Sequence, residues 1–286
     1  MTAWLFPGQG SQSVGMGKVF IEKYSDLVDQ ACEALGFDLK TLILEGPEED
    51  LRKTENTQPA IFLVSYLAAR ELLEKEKPSF LAGHSLGEYT ALAVAEVFDF
   101  TTGIKLVRKR GELMSEARSG TMAAIIGLDK ETIEKLISKV DGTVVLANEN
   151  SPQQFVISGE MGAVKKACSL LEEAGARRVT LLNVSGAFHS PLMEEAKKKM
   201  QEVLSEVDFN PPRFPVVQNV VAKSVDDPQE IKKNLIEQMT GRVRWIETLE
   251  YLHDAGVKRF VEVGPGKVLT GLVRKTLKGV EVEQFG

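Results

Sequence analysis

The chain has 286 residues, of which 43% are hydrophobic and 27% charged, and its formal net charge is −6. This composition is typical of a globular protein with a sizeable core, and the acidic balance argues against a nucleic-acid-binding protein. No stretch approaches the roughly 18 apolar residues of a membrane span, and the amino terminus lacks a basic region followed by a long apolar run, so we expect a cytoplasmic protein without a membrane partner.

The first predicted elements are a buried strand, TAWLF, and the glycine-rich loop PGQGSQSVGMG that follows it. The loop departs from both nucleotide-binding patterns. Ser13 stands where a dinucleotide fingerprint has its third glycine, and Lys18 is followed by Val19 instead of Ser or Thr. Cys32 and Cys168 lack the spacing of metal ligands or of a disulfide framework. We therefore expect neither a bound cofactor nor a metal.

The rest of the chain alternates predicted helices and strands. Helical spacing covers QPAIFLVSYLAARELLEKEK and FTTGIKLVRKRGELMSEA, the strand PSFLAGHS lies between them, and VKRFVEVGPGKVLTGLVRKTL repeats the order strand, glycine loop, helix. Between Met122 and Ser185 the order becomes β-α-β-β-α-β, the ferredoxin-like arrangement. We expect an α/β fold with a parallel sheet covered on both faces, built from residues 1–121 and 189–286, with a ferredoxin-like domain inserted at 122–188.

The sequence GHSLG, residues 83–87, fits the pattern G-x-S-x-G, in which a serine on a strained strand-to-helix turn exposes its hydroxyl. A predicted strand precedes it and the alanine-rich EYTALAVAE follows, so the context favours Ser85 as a nucleophile. The alternative is a glycine-flanked serine in an ordinary loop. His84 and Glu88 have the spacing of a metal pair, but we expect an elbow turn to send these side chains apart.

A serine hydroxyl needs a base, and the chain has three histidines. His84 adjoins the serine and reaches it poorly. His253 fits the chain order of an α/β-hydrolase triad, but it lies in a predicted helix, where a surface position is the simpler interpretation. His189 lies in the loop SGAFHSPLM beside the expected interdomain cleft, so we predict that His189 is the base. A structural histidine is the alternative.

Helix phase distinguishes Arg110 from its charged neighbours. At about 100° per residue, Arg110 falls on the apolar face of its predicted helix, whereas Arg108 and Lys109 point elsewhere. A buried arginine requires an anion, because an unpaired buried charge is very unfavourable. From the pattern alone that anion is either a protein carboxylate or a bound substrate.

Six motifs in chain order resemble those of the malonyl-CoA:acyl carrier protein transacylases of fatty-acid synthesis: FPGQGSQ, GHSLGEY, RG, NSPQQFVISG, FHSPLM and VEVGPGKVLTGL. The resemblance spans nearly the whole chain and implies an α/β-hydrolase-like core with a ferredoxin-like insertion. It also implies ping-pong transfer of a malonyl group from malonyl-CoA to Ser85, and then to the phosphopantetheine thiol of acyl carrier protein. We expect a monomer that holds no further cofactor.

The same resemblance assigns roles to further residues. It makes His189 the base and Arg110 the group that binds the malonyl carboxylate, for which a planar guanidinium is well suited. It places the oxyanion between the main-chain N–H groups of Gln9 and Leu86, and the second of these also follows the general rule for elbow serines. The main-chain carbonyl of Gln238 would orient His189.

Acyl-group selectivity is predicted at Phe188, which resembles the malonyl-selective pattern of related acyltransferases, where bulk excludes a methyl branch. Gly186 departs from the histidine often found two residues before that aromatic in modular synthases.

Two other functions fit the same sequence. One is a serine thioesterase or esterase with water as acceptor, and the other is a non-catalytic module that binds acyl carrier protein. The family's carrier proteins are acidic, and so is this chain, so docking requires a local basic patch; scattered solvated charges are the alternative. The candidates for the patch are Lys165, Lys166, Arg177, Arg178, Lys275 and Lys278.

Overall fold

Two β-sheets organise the part of the chain that the computed structural model describes, residues 1–117 and 119–286. The strands, in chain order, are β1 (Thr2–Phe6), β2 (Phe80–Gly83), β3 (Thr121–Ile126), β4 (Val144–Ser151), β5 (Gln154–Gly159), β6 (Arg178–Leu181), β7 (Val216–Gln218), β8 (Lys223–Ser224), β9 (Arg259–Val263) and β10 (Glu281–Phe285). The helices are α1 (Lys18–Lys23), α2 (Ser25–Leu35), α3 (Leu39–Glu45), α4 (Glu48–Leu51), α5 (Thr54–Leu73), α6 (Leu86–Val94), α7 (Phe100–Glu116), α8 (Lys130–Ile137), α9 (Met161–Glu173), α10 (Glu194–Ser205), α11 (Pro228–Gln238), α12 (Trp245–Asp254) and α13 (Val268–Thr276).

The larger sheet has the strand order β10-β9-β1-β2-β7-β8. Its strands pair in parallel from β10 to β7, and β8 pairs antiparallel at the edge. Alternate residues of the central strand β1 point to opposite faces, because side chains alternate along a strand. Trp4 and Phe6 join the core that contains α5, α6 and α7, whereas Ala3 and Leu5 pack with α12 and α13. The predicted parallel sheet covered by helices on both faces is confirmed.

The smaller sheet is antiparallel throughout and has the strand order β4-β5-β3-β6. With α8 between β3 and β4 and α9 between β5 and β6, this is the ferredoxin-like arrangement that the sequence predicted. Its own core contains Ile125, Phe155 and Ile157 from the sheet, and Ile133 and Leu171 from the two helices.

The return from the smaller sheet to the larger one differs from the prediction. The strand predicted over RRVTLLNVS ends at Leu181. Leu182 and Val184, which follow it, line a cavity instead of extending the sheet. The chain then reaches His189 and a short 3-10 turn at Pro191–Met193 before α10 begins.

In the described part of the chain, none of the helices has the length and apolar character that crossing a membrane requires.

Candidate active site

Ser85 occupies the turn between β2 and α6, with φ 52° and ψ −101°. A positive φ is strained for a residue with a side chain, so the surrounding structure must hold it. The flanking glycines make this possible. A Cβ on Gly83 would lie 1.9 Å from the carbonyl carbon of Gly87, and a Cβ on Gly87 would lie 2.0 Å from the carbonyl oxygen of Phe6. The turn therefore has the geometry of the elbow that the pattern predicted.

His189 contacts the serine directly. Its Nε2 lies 2.8 Å from Ser85 Oγ, and its Nδ1 lies 2.9 Å from the carbonyl oxygen of Gln238 and 3.1 Å from that of Gly241. Carbonyl oxygens only accept hydrogen bonds, so they place the ring proton on Nδ1 and leave the Nε2 lone pair facing the serine hydroxyl. The arrangement can take the proton from Ser85.

Burial and, to a smaller extent, the positive charge of Arg110 lower the pKa of His189 from its ordinary 6.5 to about 3. The ring is only 4% exposed. At neutral pH it is therefore uncharged, which is the form that accepts a proton.

The loop that carries His189 is tied to its surroundings. The Ser190 hydroxyl donates to the carbonyl of Ala187 at 2.6 Å and accepts from the N–H of Leu192 at 3.3 Å. His189 itself has φ 56°, a second strained residue in the site. These contacts fix the ring against Ser85 although the two residues are far apart in sequence.

Arg110 lies on α7 and is 1% exposed, on the buried face that helix phase indicated. Its Nη1 donates to Gln58 Oε1 at 2.8 Å, and its Nη2 donates to Gln238 Oε1 at 2.9 Å and to Ser85 Oγ at 3.0 Å. All three acceptors are neutral. Within residues 1–117 and 119–286, no carboxylate oxygen lies within salt-bridge distance of this guanidinium, and its Nε–H has no partner. The site therefore holds a buried cation that has no carboxylate in direct contact.

A cavity of about 180 Å³ opens at these residues. Its walls include Ser85, His189 and Arg110, together with the predicted Gln9, Leu86 and Phe188; Gln238 lies behind the wall. Polar residues to which the sequence analysis assigned no role in the site also line it. They are Gln58, His84, Asn148 and Asn150.

Gln9 and Leu86 meet at the serine because the first loop packs on the elbow. A Cβ on Gly8 would lie 2.6 Å from the carbonyl oxygen of His84, so the loop approaches this closely only with glycine at that position. Leu86 is the first residue of α6, where helical N–H groups lack intrahelical partners. Among the described residues, the main-chain N–H groups of Gln9 and Leu86 have no hydrogen-bond acceptor.

The other two histidines have other surroundings. His253 lies near the carboxyl end of α12, 3.4 Å from Lys258 Nζ, and is not part of the cavity wall. His84 Nε2 lies 2.8 Å from Asn150 Oδ1, and its ring meets Trp245 edge-on. Glu88 instead accepts from the main-chain N–H of Asn219, so the side chains of His84 and Glu88 do point apart.

Asn219 is a supporting residue that sequence reasoning missed. Its Oδ1 accepts from the Ser85 N–H and its Nδ2 donates to the Gly83 carbonyl, both at 2.7 Å. It thus holds both sides of the strained turn from the loop after β7. The sequence did contain a signal for Glu88, the residue that holds the Asn219 main chain. Glu88 is the one charged residue in LGEYTALAV, the otherwise uncharged sequence of α6.

The six basic residues proposed for docking are all exposed. Arg177 and Lys275 come together at a second cavity of about 240 Å³, between the smaller sheet and α13. Lys275 also donates to Gln154 Oε1 at 3.2 Å, and Arg178 to Thr180 Oγ1 at 3.1 Å.

For residues 1–117 and 119–286, no group of His, Cys, Asp and Glu side chains has the arrangement of a metal site.

Known proteins share both the sequence and the fold. The acyl transferase domain family matches residues 3–285. A polyketide biosynthesis malonyl CoA-acyl carrier protein transacylase of Bacillus subtilis is 46% identical, over 98% of this chain and 99% of its own. The structure of an acyl carrier protein S-malonyltransferase from Vibrio cholerae is 44% identical with a TM-score of 0.96, covering 100% of this chain and 96% of the other. A malonyl-transacylase solved in complex with a type II polyketide-synthase acyl-carrier protein is 42% identical with a TM-score of 0.96, covering 99% and 95%.

The fold and the site define an α/β-hydrolase-like protein with a serine–histidine pair at an elbow turn. The extent of these matches shows that the chain belongs to the acyl transferase family.

Proposed function

We propose that the protein transfers the malonyl group of malonyl-CoA to acyl carrier protein through a malonyl-serine intermediate. The observation that carries this proposal is the buried Arg110 guanidinium, 3.0 Å from Ser85 Oγ and without a carboxylate partner in the described structure. A cation in this position favours an acyl group that ends in a carboxylate. The malonyl transacylases that resemble the chain over its length support the same substrate.

In the first half-reaction His189 Nε2 takes the hydroxyl proton of Ser85 while Ser85 Oγ attacks the thioester carbonyl carbon. The N–H groups of Gln9 and Leu86 donate to the oxyanion that forms. The carbon–sulfur bond then breaks, and the CoA thiolate leaves with the proton from His189. The malonyl group remains as an ester of Ser85.

Substrate binding helps His189 to work as a base. After burial, the positive charge of Arg110 is the second cause that lowers the pKa of His189. A malonyl carboxylate paired with Arg110 balances that charge, so it raises the pKa of the imidazole and favours proton transfer from Ser85. The carbonyl oxygens of Gln238 and Gly241 hold the Nδ1 proton and stabilise the imidazolium.

The second half-reaction reverses these roles. The phosphopantetheine thiol of acyl carrier protein gives its proton to His189, and its sulfur attacks the ester carbonyl carbon. The bond to Ser85 Oγ breaks, Ser85 recovers its proton from His189, and malonyl-carrier protein leaves. Water is the competing acceptor.

The cavity limits the size of the acyl group. Phe188, 5% exposed, lines it with Met114, Met122 and Val156. These apolar side chains surround the acyl group in this proposal, and their bulk selects against a branched acyl group.

Residues 1–121 and 189–286 form the catalytic domain in this proposal, and 122–188 the insertion. Both contribute to the cavity, Ser85 and Arg110 from the first and Asn148 and Val156 from the second. Ser85, His189 and Arg110 belong to the same chain and contact one another, so a monomer can be the active species. The carrier protein docks on the exposed basic residues of the insertion, on Lys275 of α13 and on Lys278, which lies just beyond the end of that helix; together they supply positive charge on an acidic protein.

One experiment separates this function from its alternatives. The protein is incubated with malonyl-CoA alone, and its intact mass is measured over time. A persistent malonyl adduct that disappears on adding holo acyl carrier protein supports transfer. Free malonate without the carrier would establish a hydrolase, and an unchanged mass with intact malonyl-CoA would establish a binding module.

A further inference from the structure

The side chain of Gln238 connects Arg110 to a buried carboxylate. Its Oε1 accepts from Arg110 Nη2 at 2.9 Å, while its Nε2 donates to Glu88 Oε2 at 3.1 Å and to the Ser85 carbonyl at 3.0 Å. Gln238 and Glu88 are both 0% exposed. The amide therefore presents its oxygen to the cation and one N–H to the carboxylate, the orientation that both charges favour, while its other N–H donates to the Ser85 carbonyl.

Burial raises the pKa of the Glu88 carboxyl to about 7, and the three N–H groups that donate to it counteract this shift and favour the carboxylate. It receives the main-chain N–H of Asn219 at 2.7 Å, Gln218 Nε2 at 3.1 Å and Gln238 Nε2 at 3.1 Å. A main-chain N–H cannot change its role. The Gln218 amide is held as well, because its Oε1 accepts from Asn234 at 2.8 Å. A neutral glutamine in place of Glu88 would point an N–H group at one of these donors.

A direct ion pair between Glu88 and Arg110 would occupy the guanidinium that the substrate carboxylate needs. With one amide between them, the two charges compensate in part while the guanidinium keeps N–H groups for a ligand. We infer that Glu88 is a positioning residue that, through the Gln238 amide, orients Arg110 to select acyl groups carrying a carboxylate. This inference rests on the proposed function.

Glu88 also acts on the nucleophile through Asn219. The N–H of Asn219 is held by Glu88, and the side chain of Asn219 holds Ser85 and Gly83. Loss of this contact slows every acyl donor alike, since all of them use Ser85. Loss of the Gln238 contact adds a further penalty for donors that need Arg110, whereas any shift of the Gln238 contacts to His189 and Ser85 affects all donors alike. The two effects are therefore separable by comparing a charged donor with a neutral one.

The test measures kcat/KM for acylation of Ser85 by malonyl-CoA and by acetyl-CoA in the Glu88→Gln variant. The malonyl-to-acetyl ratio should fall at least about tenfold, the effect of one lost hydrogen bond in a charged network. An unchanged ratio, even with both rates reduced, would overturn the inference and leave Glu88 a structural residue.

Glu262→Gln is the matched control. Glu262 is also a buried acid, 1% exposed on β9, and it accepts the N–H groups of Leu269 and Thr270 at 3.0 and 2.7 Å. Its replacement should lower stability but leave the ratio at the wild-type value. A ratio that falls equally in this variant would show a general effect of instability and overturn the inference.

If the Glu88→Gln variant does not fold, Glu88→Asp provides a second test of the inference. The shorter side chain retains the charge but withdraws it from Gln238, so the ratio should fall to a value between wild type and Glu88→Gln. A folded Glu88→Asp with the wild-type ratio would overturn the inference. Failure of the wild-type protein to form a malonyl adduct is a different result, since it would overturn the proposed function itself.

Discussion

Arg110 Nη2 donates a hydrogen bond to Ser85 Oγ at 3.0 Å, so the cation and the serine that face the cavity are in direct contact. In a malonyl group one methylene separates the carboxylate from the reacting carbonyl. A guanidinium adjacent to the nucleophile suits so short an acyl group, because one bound molecule can reach both. Recognition and reaction are thereby confined to one small space.

Replacement of Arg110 by alanine should change specificity, and not merely lower activity. Acetyl-CoA leaves the wild-type guanidinium without an anion, a penalty of about 3–5 kcal/mol for a broken buried pair, and the variant removes that penalty. Malonyl transfer should fall because its carboxylate enters unpaired, while acetyl transfer rises relative to it. The ratio of kcat/KM values measures the change. Equal loss of both activities, with a lower melting temperature, would instead indicate a structural ion-pair residue.

Mutation should distinguish Ser85 and His189, the nucleophile and the base, from His253, which lies outside the site. Ser85→Ala should abolish the malonyl adduct in intact-mass spectra, and His189→Ala should nearly abolish it, because no other base lies at Ser85 Oγ in the described structure. His253→Ala should have little effect, since that ring lies on α12 outside the cavity wall. An inactive His253→Ala protein beside a nearly unaffected His189→Ala protein would restore the hydrolase order of the triad.

The protonation state of His189 can be observed directly. With a pKa of about 3, its ring should remain neutral at pH 5, with the proton on Nδ1 and a bare Nε2. Nitrogen NMR of histidine-labelled protein reports both atoms, and the spectrum of His189→Gln assigns the signal. An imidazolium signal from His189 at pH 5 would contradict the expected burial and the role as a neutral base.

The lowered pKa of His189 also determines how the free energy of unfolding changes with pH. His189 has a lower pKa in the folded protein, about 3, than its ordinary 6.5, so below pH 6.5 the unfolded chain binds a proton that the folded one does not. Its contribution to stability is therefore present above that pH and lost as the pH falls towards 3. The free energy of unfolding should decrease less between pH 7 and pH 5 in His189→Gln than in the wild-type protein.

Alanine at Gly83 should prevent the elbow from forming. Its Cβ would lie 1.9 Å from the Gly87 carbonyl carbon, which is main chain and cannot move without displacing α6. We expect a loss of several kcal/mol, as for severe overpacking, measured by thermal and urea denaturation. Gly271→Ala is the control, because a Cβ there meets nothing within 4 Å and alanine favours a helix by about 1 kcal/mol. Similar stability for the two variants would argue against the close packing.

Charge reversal at Arg177 and Arg178 should weaken docking of acyl carrier protein without affecting the first half-reaction. Both side chains are exposed, and Arg177 lies with Lys275 at the second cavity, away from Ser85. The KM for the carrier should rise, with the KM for malonyl-CoA unchanged. Lys18→Glu, an exposed change of the same kind on α1, provides the comparison. Unchanged carrier kinetics in the double variant would dismiss the patch.

Local patterns were sufficient for some parts of the site and not for others. The burial of Arg110 follows from helix phase alone, because its helix has one apolar face. The turn at Ser85 follows from two glycines between a strand and a helix. Asn219 could not be predicted in this way, since it stands 134 residues from the main-chain N–H that it holds, and an asparagine in a loop carries no periodic signal.

The fold likewise has parts that local sequence patterns predict and parts that they do not. Strand and helix periodicity predicted the smaller sheet and the strands β1, β2 and β9 of the larger one, because each of these elements buries a regular face. The strands β7, β8 and β10 were not predicted; β7 and β8 have three and two residues, too few for an alternating pattern, and β10 is a half-exposed edge strand. The short helices α1 to α4 were not predicted, although α2 is amphipathic and buries Val28 and Ala31 on one face. With four to eleven residues each, they depend on local contacts such as the Asp38 side chain, which accepts from the Thr41 N–H at the start of α3. The end of β6 at Leu181 depends on the cavity that the following residues line.

The contact between Ser85 and His189 spans 104 residues of sequence, and the whole smaller sheet lies within that span. During synthesis or refolding the serine turn and its helix can form long before the histidine arrives, because long-range contacts close late. Recovery of reactivity towards malonyl-CoA should therefore lag behind recovery of helical circular dichroism. The amplitude of burst acylation of Ser85 would then measure the fraction of molecules that have completed the last stage of folding, when the inserted sheet is in place and the chain beyond it has docked.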